Sequence, residues 1–244
     1  MIAVLGALRE EVAALRKRMV AMETVSEPAC TILRGTWQER EVLLVQTGMG
    51  RERAQAATRL ILERYPVETL VSLGFAGALA EELHPGDVVL YSSVHCAEDD
   101  AGSYAANDEV LTRAMGALQD AAVVSSLGSG LTLQQVVLSP KEKGELADSF
   151  HVDVVDMESY WIAEIASEKH IPFVIIRSVS DTIHEKLLPF GRMMNDDGKL
   201  LWKATAAHFI RRPHHLAVIG RLYRNARLAK RNLAAAVDAL IREL

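Results

Sequence analysis

The chain is poor in the features that mark several protein classes. It holds two cysteines, Cys30 and Cys96, far apart in sequence. That excludes a clustered-thiolate metal site and fits buried thiols in a reducing compartment, so a cytoplasmic location is expected. No stretch approaches the roughly 18 apolar residues of a membrane span. The apolar run Ile2 to Leu8 is short, lacks a basic segment before it and meets charge at once, so no secretory signal is expected. Seven prolines and 15 glycines, never in tracts, exclude a fibrous or low-complexity chain. Nor is there an excess of positive charge: 27 basic against 32 acidic residues give a net −5, which argues against a nucleic-acid partner.

What is present is an apolar chain with a legible order of elements. Half of the 244 residues are hydrophobic, enough to build a sizeable core without staples. Short runs that are apolar on both faces read as buried strands at Ile2–Leu5, Thr31–Leu33, Val42–Val45, Leu70–Leu73, Asp87–Tyr91, Ala121–Leu127, Leu131–Leu138, Val152–Val155 and Pro172–Val179. Thr31–Leu33 and Val42–Val45 are expected to join through a turn at Gly35, and Ala121–Leu127 and Leu131–Leu138 through Gly128-Ser129-Gly130. Between the strands, helical spacing covers Arg9–Met19, Arg51–Arg64, Asp108–Leu118, a short helix opened by Pro140, and Met157–Lys169. Two more helices finish the chain, about Gly198–Ile210 and Leu216–Leu244. Strands alternating with amphipathic helices imply an α/β fold: one domain, residues 1–197, with a mixed sheet flanked by helices, and a basic helical extension over 198–244.

Ligands of such sheets bind beyond the carboxyl ends of strands. Three acids stand there. Glu11 follows the first strand, Glu158 follows Val152–Val155, and Asp181 follows Val179. Glycine turns occupy two other strand ends, Gly48–Gly50 and Gly74–Gly77, where a ligand can approach the backbone closely. Each acid also has a bland reading. Glu10-Glu11 would favour a helix dipole, and Asp156 or Asp181 could cap a helix. Together they point to an active site without naming a reaction.

The motifs Gly6-Ala7-Leu8-Arg9-Glu10-Glu11, Thr47-Gly48-Met49-Gly50, Gly74-Phe75-Ala76-Gly77 with Pro85-Gly86-Asp87, Asp156-Met157-Glu158 and Ser180-Asp181 occur in an order that resembles the purine nucleoside phosphorylase and nucleosidase superfamily. The likeness is greatest to methylthioadenosine/S-adenosylhomocysteine nucleosidases. It implies cleavage of the N-glycosidic bond of an adenine-type, 5′-modified purine nucleoside, with no metal and no organic cofactor. Asp181 would protonate the leaving base, Glu158 would stabilise the ribose cation, and Glu11 would activate water. Substrate contacts would come from Gly48, Phe75, Ala76, Gly77, Val136, Val137, Met157 and Ser180. A dimer is the expected assembly.

Phosphate is the alternative partner. Phosphorylases of the superfamily bind it through arginines and a Gly-Asp-Pro-like loop after the first strand. Here Gly6-Ala7-Leu8 and an acid pair stand instead, which favours water, although Arg9, Arg51 and Arg53 lie near strand ends. A non-catalytic nucleoside-binding protein is a third reading, opposed by the retained acids. Three departures from the nucleosidase pattern leave the base and the 5′ group open, futalosine-type nucleosides included. Phe75 replaces a serine, Asp156 replaces a glutamate, and no aromatic precedes Pro140.

The end of the chain inverts the net charge. Between Asp197 and Asp238 lie nine basic residues and no acid. Leu216, Ile219, Leu222, Ala226, Ala229, Leu233 and Leu240 form an apolar stripe beside Arg221, Arg224, Arg227 and Arg231. A basic amphipathic helix fits a membrane surface, or an ordinary packed helix with a solvated basic face. Leu187-Leu188-Pro189, Asp197-Gly198 and Arg211-Arg212-Pro213 look like the hopanoid-associated members, which implies a lipid-linked adenosine and a location peripheral to the membrane.

Overall fold

The first strand shows how the molecule is divided. In β1 (Ile2–Gly6) the side chains alternate, Ile2 and Val4 entering one core and Ala3 and Leu5 the other. Both faces are buried, so the strand reads as a continuous apolar run. The computed structural model describes residues 1–97, 102–187 and 215–244; for residues 21–22 and 215–219 it describes the backbone alone. The predicted helix at about Gly198–Ile210 lies outside the described residues. So do Leu188, Pro189, Asp197, Gly198 and Arg211–Pro213.

The remaining strands are β2 (Val20–Ser26), β3 (Thr31–Trp37), β4 (Arg40–Gln46), β5 (Thr69–Ala78), β6 (Val88–Cys96), β7 (Ser103–Ala105), β8 (Ser125–Thr132), β9 (Val154–Asp156) and β10 (Phe173–Asp181). They form one mixed sheet in the order β10-β6-β8-β9-β5-β1-β4-β3-β2, with β7 beside β6. Strand β10 also pairs with β5, so β5, β9, β8, β6 and β10 close into a ring. The α/β class, the mixed sheet and the flanking helices expected from the sequence are present.

The helices are α1 (Arg9–Arg16), α2 (Arg51–Arg64), α3 (Asp108–Asp120), α4 (Pro140–Phe150), α5 (Ser159–Glu168) and α6 (His215–Glu243). Helices α1, α3 and α6 contribute to one core, through Val12, Leu15, Val110, Ala114, Leu233 and Val237. Helices α2 and α5 build the other, through Ala54, Ile61, Trp161 and Ala166. A small third core joins Leu131, Val137 and Val155, with Leu146 and Ala147 of α4 packed against it. Burying each large apolar side chain contributes about 1.5–3 kcal/mol before entropy is counted.

Several expected turns fail because their glycines lie inside strands. Gly35 lies inside β3, paired with Val42, and the hairpin turns at Gln38-Glu39, both with positive φ (50° and 68°). Extending β3 by four residues beyond Leu33 buries Trp37, whose Nε1 donates to Asp238 on α6 at 3.1 Å. Gly128 and Gly130 lie inside the single strand β8. A Cβ on Gly130 would fall 2.0 Å from the Tyr91 ring. Strand β2 was not expected, nor β7. Asp181 is the last residue of β10 rather than a residue beyond it, and β5 runs through Gly74–Gly77.

The apolar stripe of the last helix faces protein. Leu233 and Leu240 are buried in the same core as β1 and α1, and Ala229 is buried as well, while Arg221, Arg224, Arg227 and Arg231 are exposed. The side chains of Leu216 and Ile219 lie outside the described set. Asn232 donates to the carbonyl of Gly86 at 2.8 Å, and Arg18 pairs with Asp238 at 2.8 Å. Arg221 and Asn225 both bind the buried Glu185. Among the described residues no helix is long and apolar enough to cross a membrane. Cys30 and Cys96 are buried, and neither is in a disulfide.

Candidate active site

The carboxyl ends of β1, β5 and β10 meet the end of β9 at a cleft of about 190 Å³. Its walls include Glu11, Glu158 and Asp181, so the three acids chosen from sequence share one cavity. Phe75, Ala76, Gly77, Val136, Val137, Met157 and Ser180 line it too. Gly48 does not. It is left-handed, with φ 79°, and the Arg53 side chain lies over it, while its neighbour Met49 reaches the cleft. Of the two valines, Val137 is buried and Val136 is 53% exposed.

Glu11 is the third residue of α1 and folds back over the helix start. Its Oε2 accepts the N–H of Leu8 at 2.8 Å, the reciprocal half of a capping box. Its Oε1 accepts the N–H of Phe75 at 3.1 Å. Burial pushes its pKa up, and the Leu8 N–H, the Arg177 charge and the Phe75 N–H oppose that rise. Glycine makes the room. A Cβ on Gly74 would lie 3.0 Å from Glu11 Oε1 and 3.2 Å from Arg177 Nη1.

Glu158 sits at the starts of two helices. It is the cap residue of α5, and its Oε1 accepts the N–H of Gly50, the cap residue of α2, at 3.0 Å. Burial raises its pKa to about 8, with the nearby Asp156 charge adding to the rise. Glu158 therefore binds a proton more tightly than an ordinary carboxylate does.

Asp156 is the hub behind both. Its oxygens accept from Tyr91 Oη, Thr132 Oγ1, Ser159 and the backbone of Glu158. Arg177 Nε binds Asp156 at 3.0 Å, and its Nη2 donates to Ser72 at 3.0 Å. Such a fully satisfied buried pair fixes geometry. Asp156 thus caps α5, the bland reading it was given, and braces the acids around it.

Asp181 is built differently. A bulge in β10 between Val179 and Asp181 leaves Ser180 as the extra residue, and both Ser180 and Asp181 line the cleft. Ser180 Oγ donates to Asp181 Oδ1 at 2.5 Å. The other oxygen is bound by Lys143 Nζ of α4, which also donates to the carbonyl of Thr182 at 2.6 Å. Lys143 is fully buried. A Cβ on Gly77 would lie 3.1 Å from Asp181 Oδ2.

Reading the sequence missed Lys143 and Arg177, and a signal existed for each. Arg177 interrupts the apolar run Phe173–Val179. Lys143 shares a helix face with Leu146 and Ala147, at i+3 and i+4. Arg9 is exposed, Arg51 lies over the Trp161 ring at 4.1 Å, and Arg53 covers Gly48; none of the three lines the cleft. Among the described residues no cluster of His, Cys, Asp and Glu could hold a metal.

Comparison with known proteins shows the family of the chain. The phosphorylase superfamily model matches residues 1–207. The 5′-methylthioadenosine/S-adenosylhomocysteine nucleosidase of Tolumonas auensis is 31% identical in an alignment of length 198 that covers 74% of this chain and 85% of that one. In fold, the chain is similar to the nucleosidase of that name from Neisseria meningitidis, solved with methylthio-immucillin-A. The TM-score is 0.81 at 23% identity, over 100% of this chain and 99% of the other. It is also similar in fold to the futalosine hydrolase of Helicobacter pylori, with a TM-score of 0.74 at 17% identity over 97% of each chain.

Proposed function

The chain belongs to the phosphorylase superfamily, and from that membership we propose that it hydrolyses the N-glycosidic bond of an adenine-type, 5′-modified purine nucleoside. The observation that carries water over phosphate is the seat of Glu11. Two strand-end N–H groups, of Leu8 and Phe75, together with the charge of Arg177, would make a good anion site. The protein's own carboxylate fills it. A phosphate arriving there would meet like charge, whereas a water would meet a base whose proton affinity burial has raised.

The reaction then divides along the cleft. Glu11 takes a proton from the attacking water. Glu158 holds the ribose hydroxyls and steadies the positive charge that grows at C1′, with Met157 against the sugar. Asp181 gives a proton to the departing base, and the electron pair of the C1′–N9 bond leaves with it. Phe75, Ala76, Gly77, Val136, Val137 and Ser180 bound the space for the nucleoside. The similarity to both a methylthioadenosine/S-adenosylhomocysteine nucleosidase and a futalosine hydrolase supports a 5′-modified substrate.

The test is release of free base from methylthioadenosine, adenosine and inosine, with and without phosphate. Release without phosphate is expected; strict phosphate dependence would assign a phosphorylase. A membrane contact by α6 would use the exposed Arg224, Arg227 and Arg231, with Tyr223 and Leu228 exposed among them, since the stripe from Ala229 onward is buried. Sedimentation with anionic vesicles, compared between the wild type and the triple Arg→Glu variant, tests that.

A further inference from the structure

Lys143 is an odd residue to bury. It sits in the charged run Lys141-Glu142-Lys143 at the start of α4, where Lys141 and Glu142 are exposed and Lys143 is not. An ammonium taken out of water must be paired to be tolerated, and replacing such a pair by apolar groups is often neutral or stabilising. Stability is therefore a weak reason for the pair to exist. Its position is more telling. Lys143 Nζ binds the one carboxylate oxygen of Asp181 that Ser180 does not, and Lys143 itself lines the cleft. Two of its three N–H groups are accounted for, by Asp181 and by the carbonyl of Thr182.

We propose that Lys143 and Asp181 act as one proton-donating unit, with Lys143 as the positioning residue that supplies the proton Asp181 delivers to the leaving base. The inference rests on the nucleosidase reading above. From the resting ion pair, the Lys143 ammonium passes a proton to the Asp181 carboxylate through their hydrogen bond. As the C1′–N9 bond breaks, its electron pair passes into the purine and Asp181 gives a proton to the ring nitrogen, leaving a carboxylate beside a neutral amine. Meanwhile the water that attacks C1′ gives its proton to Glu11. Glu11 later returns that proton to solvent, and Lys143 recovers one, so charge and atoms balance over a turnover. The pair carries no net charge in the resting site, so a neutral base meets no uncompensated anion at that end of the cleft.

The experiment compares wild type, Lys143→Met, Asp181→Asn and the double variant on methylthioadenosine. Lys143→Met should lower kcat by about 100-fold, within the range for a general acid, and leave KM within about threefold. The falling, high-pH limb of the kcat profile should move to lower pH. The double variant should be no slower than Asp181→Asn alone, because Lys143 acts only through Asp181. It also removes both partners of the buried pair, so it reports on the chemistry even where Lys143→Met leaves Asp181 unpaired and folds poorly. Lys143→Met with wild-type kcat, an unmoved limb, or losses that multiply in the double variant would each overturn the proposal. A wild type inactive on every purine nucleoside would instead overturn the nucleosidase reading itself.

Discussion

The two ends of the cleft hold carboxylates in opposite ways. At one end Glu11 and Glu158 are bound by backbone N–H groups, and the nearest cation, Arg177, is committed to Asp156. At the other, Asp181 is bound by the side chains of a serine and a buried lysine. Backbone donors fix a carboxylate in place and carry no proton that can be given up. Side-chain donors can exchange one. The first arrangement suits groups that accept a proton or face positive charge, the second a group that gives a proton away. Burial, which raises the pKa of both Glu11 and Glu158, is the price of keeping the first pair in a small dry space.

That contrast can be broken in order of effect. Asp181→Asn keeps the shape of the donor and loses its proton, so kcat on methylthioadenosine should fall by about a thousandfold or more while adenine still binds within a few-fold, measured by calorimetry. Near-normal turnover would remove Asp181 from the chemistry. Glu11→Gln should cost about a hundredfold to a thousandfold. For Glu11→Ala, added formate should restore part of the rate by entering the vacated site beside the Leu8 and Phe75 N–H groups. Rescue by phosphate with a phosphorylated sugar as product would mean that the site is at heart a phosphorylase. Glu158→Gln, which keeps hydrogen bonding and loses charge, should lower kcat/KM by about ten- to a hundredfold.

The smallest effect is on stability. Glu158 in the folded protein titrates near pH 8, against an ordinary value of 4.5. Between those values the folded state holds a proton that the unfolded state has lost, so stability falls as pH rises through that window and levels off above it. Tm should therefore drop by a few degrees between about pH 5 and pH 8, and Glu158→Gln should flatten part of that slope. Glu11 shifts in the same direction and remains in the variant, so the slope should not vanish. An identical slope in both proteins would place Glu158 in water rather than in a dry site.

Much of the cleft was legible from strand ends. Glu11, Glu158 and Asp181 each sit where an apolar run stops; the parallel strands β1, β5 and β10 align two of those ends, and β9, antiparallel to β5, brings in the third. What escaped was any residue whose role depends on a neighbour from elsewhere in the chain. Lys143 shares a helix face with Leu146 and Ala147, but only its pairing with Asp181 of β10 shows what a charge does there. The glycines mislead for the same reason. Gly35, Gly128 and Gly130 look like turns locally, but they sit inside strands, and at Gly130 the Tyr91 ring takes the space of a side chain. Strand β2 was hidden because it lies at the sheet edge, where the residues it pairs with are set by β3 rather than by its own pattern.

The sequence by itself determined the class of fold, the order of most elements and the three acids, because apolar periodicity and strand ends are local properties. It also determined that the last helix is basic and amphipathic. Only the tertiary structure decided what the stripe of that helix covers from Leu233 onward: the core shared with β1 and α1. Only it decided that Glu11 fills a would-be anion site and that Asp181 is paired with a buried lysine. Those outcomes are contacts between residues 64 and 38 positions apart, and no local pattern specifies which distant group will meet a buried charge.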